Sequence, residues 1–173
     1  MLARLCSSSR FTPLTFACLL GLSALGCAGA ASADAFADHL AVANAAEIQA
    51  ARQVLKATAF DDTRNMANRM IEDHTALGQQ LAALAEQLHI DLPDDASIQA
   101  QAAKLQTPLP KGQNVDAAYA TAQIHAHEAA LSLFEDEAQS ATVPELKTFA
   151  ETNLPLIRHH LQMATRLLKT HRK

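Results

Sequence analysis

From Phe36 onward, apolar residues recur at alternating spacings of four and three, the pattern of helices that each bury one face. Four stripes can be traced. The first reads Phe36, Leu40, Ala43, Glu47, Ala50, Val54, and the second reads Met70, His74, Leu77, Leu81, Leu84, Leu88, with Met66 one turn earlier. The third is Ile124, His127, Leu131, Phe134, Ala138, and the fourth Phe149, Asn153, Leu156, His160, Met163, Leu167. Helix punctuation divides the chain at matching places. Asp61 or Asp62 is the expected cap of the second helix, and Asp91-Leu92-Pro93-Asp94-Asp95 ends it near His89. Thr142-Val143-Pro144-Glu145 reads as a capping box with proline at the first helical position.

The expected elements are therefore long helices over 35–58, 61–89, 115–139 and from 144 onward, with a short helix near 97–105 in the middle link. Pro155 falls inside the last helix and is expected to kink it. Short links join the first helix to the second and the third to the fourth. Each pair then forms a hairpin, and the fold class is all-α, an antiparallel up-down-up-down four-helix bundle.

Five members of the stripes are polar: Glu47, His74, His127, Asn153 and His160. At a rise of about 1.5 Å per residue, Glu47 and His74 stand nearly level, and His74 and His127 lie within a turn of each other. His160 is offset from His127 by roughly 7 Å on the same count. One carboxylate and three imidazoles near the middle of a bundle admit two readings. They can hold a transition metal, with copper, zinc and iron all suited to such donors and Met70 and Met163 as soft ligands. Alternatively they form a metal-free polar network that fixes helix register in a structural or stress-related protein. Methionine is also a common core filler. A di-iron oxidase is disfavoured, because that chemistry needs paired Glu-x-x-His motifs and only Glu86 to His89 has that spacing. With no nucleophilic triad or phosphate loop evident, a binding or structural protein is favoured over an enzyme. His39, His125, His159 and His171 fall off the stripes and are expected at the surface, as are Asp73 and Glu135-Asp136-Glu137.

The amino terminus changes the picture. Arg4 and Arg10 precede an uncharged run from Phe11 to Leu25, and Ala31-Ser32-Ala33 supplies an A-x-A cleavage site. Residues 1–33 read as an export leader and 34–173 as the mature domain, destined for the periplasm or the outer membrane. Ala24-Leu25-Gly26-Cys27 offers a second processing mode, a degraded lipoprotein site that would put a lipid anchor on Cys27. No later stretch could span a membrane. All three cysteines, Cys6, Cys18 and Cys27, lie in the leader, so the mature domain depends on its core without disulfides. Cleavage would remove two of the 14 basic residues and none of the 18 acidic ones. That charge argues against nucleic acid as a partner.

Several short segments resemble a known family. They are Ala45-Ala46-Glu47-Ile48, Met70-Ile71-Glu72-Asp73-His74-Thr75, Leu92-Pro93, Tyr119 with Ile124-His125-Ala126-His127, Leu131-Ser132-Leu133-Phe134, and Leu154-Pro155 followed by His160-Leu161 and Met163-Ala164. In this order and spacing they resemble domain of unknown function 4142, a bacterial envelope family, across nearly the whole mature chain. The resemblance implies a ferritin-like bundle. It also implies a recurrent Glu and three His, which fall on Glu47, His74, His127 and His160. It implies no activity.

Overall fold

The computed structural model describes residues 26–110 and 115–172. Among them it is all helical, with five helices and no strand. They are α1 (Gly26–Leu55), α2 (Asp61–Leu88), α3 (Asp95–Lys104), α4 (Val115–Ser140) and α5 (Pro144–His171). The export leader expected over 1–33 falls largely outside the described residues. Its last part, from Gly26, is continuous with α1. No described helix is long and apolar enough to cross a membrane.

The boundaries follow the sequence within a few residues except at the start of α1, which lies at Gly26 and not at Ala35, and two caps differ. Phe60, not an aspartate, occupies the cap of α2, and Asp61 and Asp62 sit in its first turn, where their charge complements the helix dipole. Val143 caps α5 and places Pro144 in the first turn, so the capping box expected from Thr142 does not form. Proline accounts for this: its fixed φ and missing N–H suit the first helical position, which moves the cap to the residue before it. α2 stops at His89, whose φ of 57° is left-handed, while its N–H and that of Ile90 close on carbonyls of the last turn. α3 is held at its start by Asp94, whose side chain accepts from the Ser97 amide at 2.9 Å.

α1 packs on α2, and α4 on α5. The three residues between α4 and α5 leave no room for anything but an antiparallel pair, and Arg158 bonds Glu135 across it at 2.9 Å. α1 also touches α4, α2 touches α5, and α3 lies against α1. That last contact explains why α1 buries more than one stripe: Ala45 and Ala46 pack on Ala102 and Ile98 of α3.

Two apolar clusters form the interior. One gathers Phe36, Leu40, Leu77, Leu81, Leu146 and Ile157 around Phe134 and Phe149. Here the Phe36 ring meets the Phe134 ring edge-on, with centroids 5.7 Å apart. The other gathers Val54, Met66, Met70, Tyr119, Ala164 and Leu167. On α2, Met70 belongs to one cluster and Leu77 to the other, so His74 stands at the level between them. Of the remaining histidines, His39, His125 and His159 are exposed as expected. His171 is not free in solvent: it lies against the Phe60 ring and pairs with Asp62 at 3.0 Å.

Candidate metal centre

The level between the two clusters is polar on every long helix. α1 supplies Asn44 and Glu47, α2 Asp73 and His74, α4 Gln123 and His127, and α5 His160, whereas Asn153 lies two turns earlier on α5, between Phe149 and Ile157 of the first cluster. His74, His127 and His160 are all buried, and one ring nitrogen from each lies within 4.8 Å of the other two. The ring centroids form a near-equilateral triangle with sides of 5.2, 5.3 and 5.6 Å.

The axial offset expected for His160 is thus closed. α4 ends and α5 begins such that His160 is about three residues further from the turn than His127, roughly 4.5 Å. Side chains lean toward the N-terminus of their own helix. In an antiparallel pair, His127 therefore leans away from the turn and His160 toward it. They meet with His127 Nε2 and His160 Nδ1 3.3 Å apart.

The outer nitrogen of each ring is fixed as a donor by a partner that can only accept. Asn44 Nδ2 donates to the backbone carbonyl of His74 at 2.5 Å, which turns its Oδ1 toward His74 Nδ1 at 2.7 Å. His127 Nδ1 donates to the backbone carbonyl of Gln123 at 2.9 Å. His160 Nε2 donates to the carboxylate of Asp73 at 2.9 Å, and Arg69 holds that carboxylate from outside at 3.0 Å. In the neutral rings, the inner nitrogens, His74 Nε2, His127 Nε2 and His160 Nδ1, are then bare lone pairs facing one another. His74 Nε2 has no partner at all among the described residues.

Lone pairs so close repel unless a proton or a cation lies among them. Protons are disfavoured, because all three imidazoles are pushed below their usual range. Burial pushes His74 well down, with the neighbouring imidazoles adding to it. Burial takes His127 down to about 4. It also lowers His160, with the Asp73 carboxylate opposing. A cation fits better. Two nitrogens each about 2.05 Å from a tetrahedral ion are separated by about 3.3 Å, which matches the His127–His160 separation. Outer acceptors that set the tautomer of each imidazole are the usual supports of a metal-binding histidine.

Glu47 is buried at the same level but lies outside this group of three, and Gln123 Nε2 donates to its carboxylate at 2.5 Å. Burial raises its pKa to about 7, against the lowering effect of the Gln123 amide. Met70 is fully buried in the second apolar cluster, and Met163 packs half-buried on its edge. Sequence reasoning missed Asn44 and Gln123 and assigned Asp73 to the surface. Asp73 is instead largely covered, at 16 % side-chain exposure, because it spans the α2–α5 contact to reach His160.

Gly78 belongs to the same arrangement. A Cβ at this position would stand 2.7 Å from Asn44 Nδ2, so glycine in mid-helix leaves room for the amide to reach the His74 carbonyl. Gly78→Ala gains about 0.8–1 kcal/mol of helix propensity while displacing Asn44. Because Asn44 gives up two buried hydrogen bonds, at about 1–3 kcal/mol for each group left unpaired, the expected result is a melting temperature below that of the parent and zinc affinity about tenfold weaker. Thermal melts and competition against a chromophoric chelator measure the two, and unchanged affinity would remove Asn44 from any orienting role.

The chain matches the family described as Domain of unknown function (DUF4142) over residues 23–167 and belongs to that family. No curated protein and no solved structure matches it.

Proposed function

We propose that this chain is an exported protein of the bacterial cell envelope, a ferritin-like, antiparallel up-down-up-down four-helix bundle that holds one transition-metal ion at His74, His127 and His160. The bundle reading is supported by the cycle of contacts in which α1 meets α2, α2 meets α5, α5 meets α4 and α4 returns to α1. Export is supported by the basic, apolar and small-residue succession over residues 1–33.

The observation that carries the metal reading is the forced orientation of three buried imidazoles whose bare nitrogens converge. Three imidazoles without a carboxylate suit zinc or copper better than iron, whose open protein sites characteristically include an oxygen donor. We read the role as binding, which rests on the three converging nitrogens alone. The competing metal-free network is favoured by one contact, since a proton shared between His127 and His160 at 3.3 Å would also relieve their repulsion.

Metal content decides between them. The protein is recovered from the periplasm without an affinity tag and compared with a His74→Ala/His127→Ala double variant. About one equivalent of zinc or copper in the parent, absent from the variant, is the expected result. A metal-free parent whose melting temperature ignores added zinc, copper and iron would leave the polar network as the correct reading. The mass of the same preparation reports whether the chain starts at Asp34 or carries a lipid on Cys27.

A further inference from the structure

The excess of acids over bases is not spread evenly along the molecule. α1 and α5 end, and α2 and α4 begin, at one shared end. There the Phe60 and His171 ring centroids are 4.7 Å apart, and Thr58 bonds Asp116 in the first turn of α4. Every described acid at this end is engaged. Asp61 pairs with Arg64, Asp62 with His171 and Glu72 with Arg69, while Asp116 is buried against Thr58. The cations are not. Arg52 and Lys56 beside the end of α1, and Arg166, Lys169 and Arg172 at the end of α5, are exposed and have no ion pair among the described residues. The opposite end has the reverse balance. Its described cations, Lys147 and Arg158, are paired with Glu151 and Glu135, which leaves Glu86, Asp91, Asp136, Glu137 and Glu145 without a cation.

Arg52 and Lys56 are four residues apart, and Arg166, Lys169 and Arg172 three, so each set follows one face. α1 and α5 each pack on α2 and α4, so the two sets stand apart across the end of the molecule. Phe60 heads α2, which touches both helices. Cations do complement the dipoles of two helices that end here. That role asks for no exposed aromatic ring, yet Phe60 is 49 % exposed. The other large apolar side chain left open among the described residues, Leu105, lies on the flank, beside the Gln106 that bonds the Ala46 carbonyl.

An aromatic ring among unpaired cations matches a surface that is anionic outside and apolar just beneath. That is the make-up of a bilayer containing acidic phospholipid. The acidic end of a second copy would answer the charge alone, since no large apolar side chain is exposed there among the described residues to meet Phe60.

We propose that the end of the molecule carrying Phe60, Lys56, Lys169 and Arg172 docks on an anionic phospholipid surface, with the Phe60 ring at the level of the headgroups. Cys27 lies at the other end of α1, about 40 Å away at 1.5 Å per residue, so this docking is separate from a lipid anchor there. It needs no metal and stands independently of the metal reading.

The test cosediments the full chain with vesicles, carrying Cys27→Ser throughout so that no acyl group contributes. The vesicles are phosphatidylcholine alone, or phosphatidylcholine with about a third phosphatidylglycerol. Affinity about a hundredfold higher for the anionic vesicles is expected at low salt, and that excess should vanish at about 0.5 M salt. A cation close to such a surface contributes about fivefold, so Lys56→Gln/Lys169→Gln should weaken anionic binding by about thirtyfold. Phe60→Ala should weaken it by about tenfold. Glu86→Gln/Glu145→Gln, at the far end, should leave it unchanged. Each variant is checked for a parent-like melt, and the exposed lysines keep the test decisive if Phe60→Ala does not fold. The proposal is overturned by equal binding to neutral and anionic vesicles, by a lysine variant that binds as the parent does, or by an equal loss from the far-end pair. It is equally overturned if no vesicle binds. Growth of particle mass with protein concentration at low salt would then assign the surface to the acidic end of a second copy, and tighter binding of duplex DNA than of vesicles would assign it to nucleic acid.

Discussion

His160→Ala is expected to lower zinc affinity by about a hundredfold or more, the share of one ligand in a site of few ligands. Asp73→Asn should follow at ten- to a hundredfold, because it withdraws the charge that orients His160 without touching the centre itself. Glu47→Gln should change affinity by no more than a few fold, since the Glu47 carboxylate lies outside the three converging nitrogens and is engaged by Gln123. Competition titrations on the three variants, each checked for a parent-like helical spectrum, give the ranking. A Glu47→Gln loss as severe as that of His160→Ala would put a carboxylate in the first coordination sphere and return iron to the list of suitable ions. Equal affinities across parent and variants would mean that these imidazoles hold no metal.

That ranking separates what the sequence made legible from what it did not. The helices could be read from Leu77, Leu81 and their counterparts, because a buried face imposes its period on the residues that line it. The polar exceptions at His74, His127 and His160 were visible for the same reason, each standing where a leucine would be expected. Their supports were not, because the seam spacing allows either of two adjacent residues. Leu40 to Asn44 to Glu47 is as good a stripe as one through Ala43, and Gln123 competes with Ile124 one turn before His127. Asp73 stands three residues after Met70 and four before Leu77, so it flanks the seam as closely as His74 does. Which of two neighbours turns inward depends on where the next helix lies, and that is set by packing over the whole chain. One local signal was available: Gly78, a glycine in the middle of a strong helical pattern and one turn past His74, marks a close approach.

The metal-free protein should reveal Glu47 and the histidines through opposite pH dependences. An imidazole whose folded pKa is depressed adds stability above its unfolded pKa and loses it as pH falls. For His127, with values of 6.5 unfolded and about 4 folded, the loss runs between those limits and amounts to about 3 kcal/mol. His74 acts in the same direction. Glu47 does the reverse: its folded pKa of about 7 exceeds the ordinary 4.5, so stability from the protonated carboxyl is complete below 4.5 and is lost as pH rises through 7, again by about 3 kcal/mol. Between pH 4.5 and 6.5 Glu47 and His127 nearly cancel, which leaves the other imidazoles to set the net acid sensitivity. Glu47→Gln removes the compensating half. The variant is expected to exceed the parent by about 3 kcal/mol at pH 8, where a buried carboxylate no longer has to be accommodated, and to lose that advantage by pH 4.5. Its stability should therefore fall more steeply on acidification, by nearly one additional proton. Urea denaturation of parent and variant at pH 4.5, 6 and 8 measures the difference. Parallel curves would show that Glu47 titrates alike in the folded and unfolded chains, and the raised carboxyl pKa, together with the burial that causes it, would have to be given up.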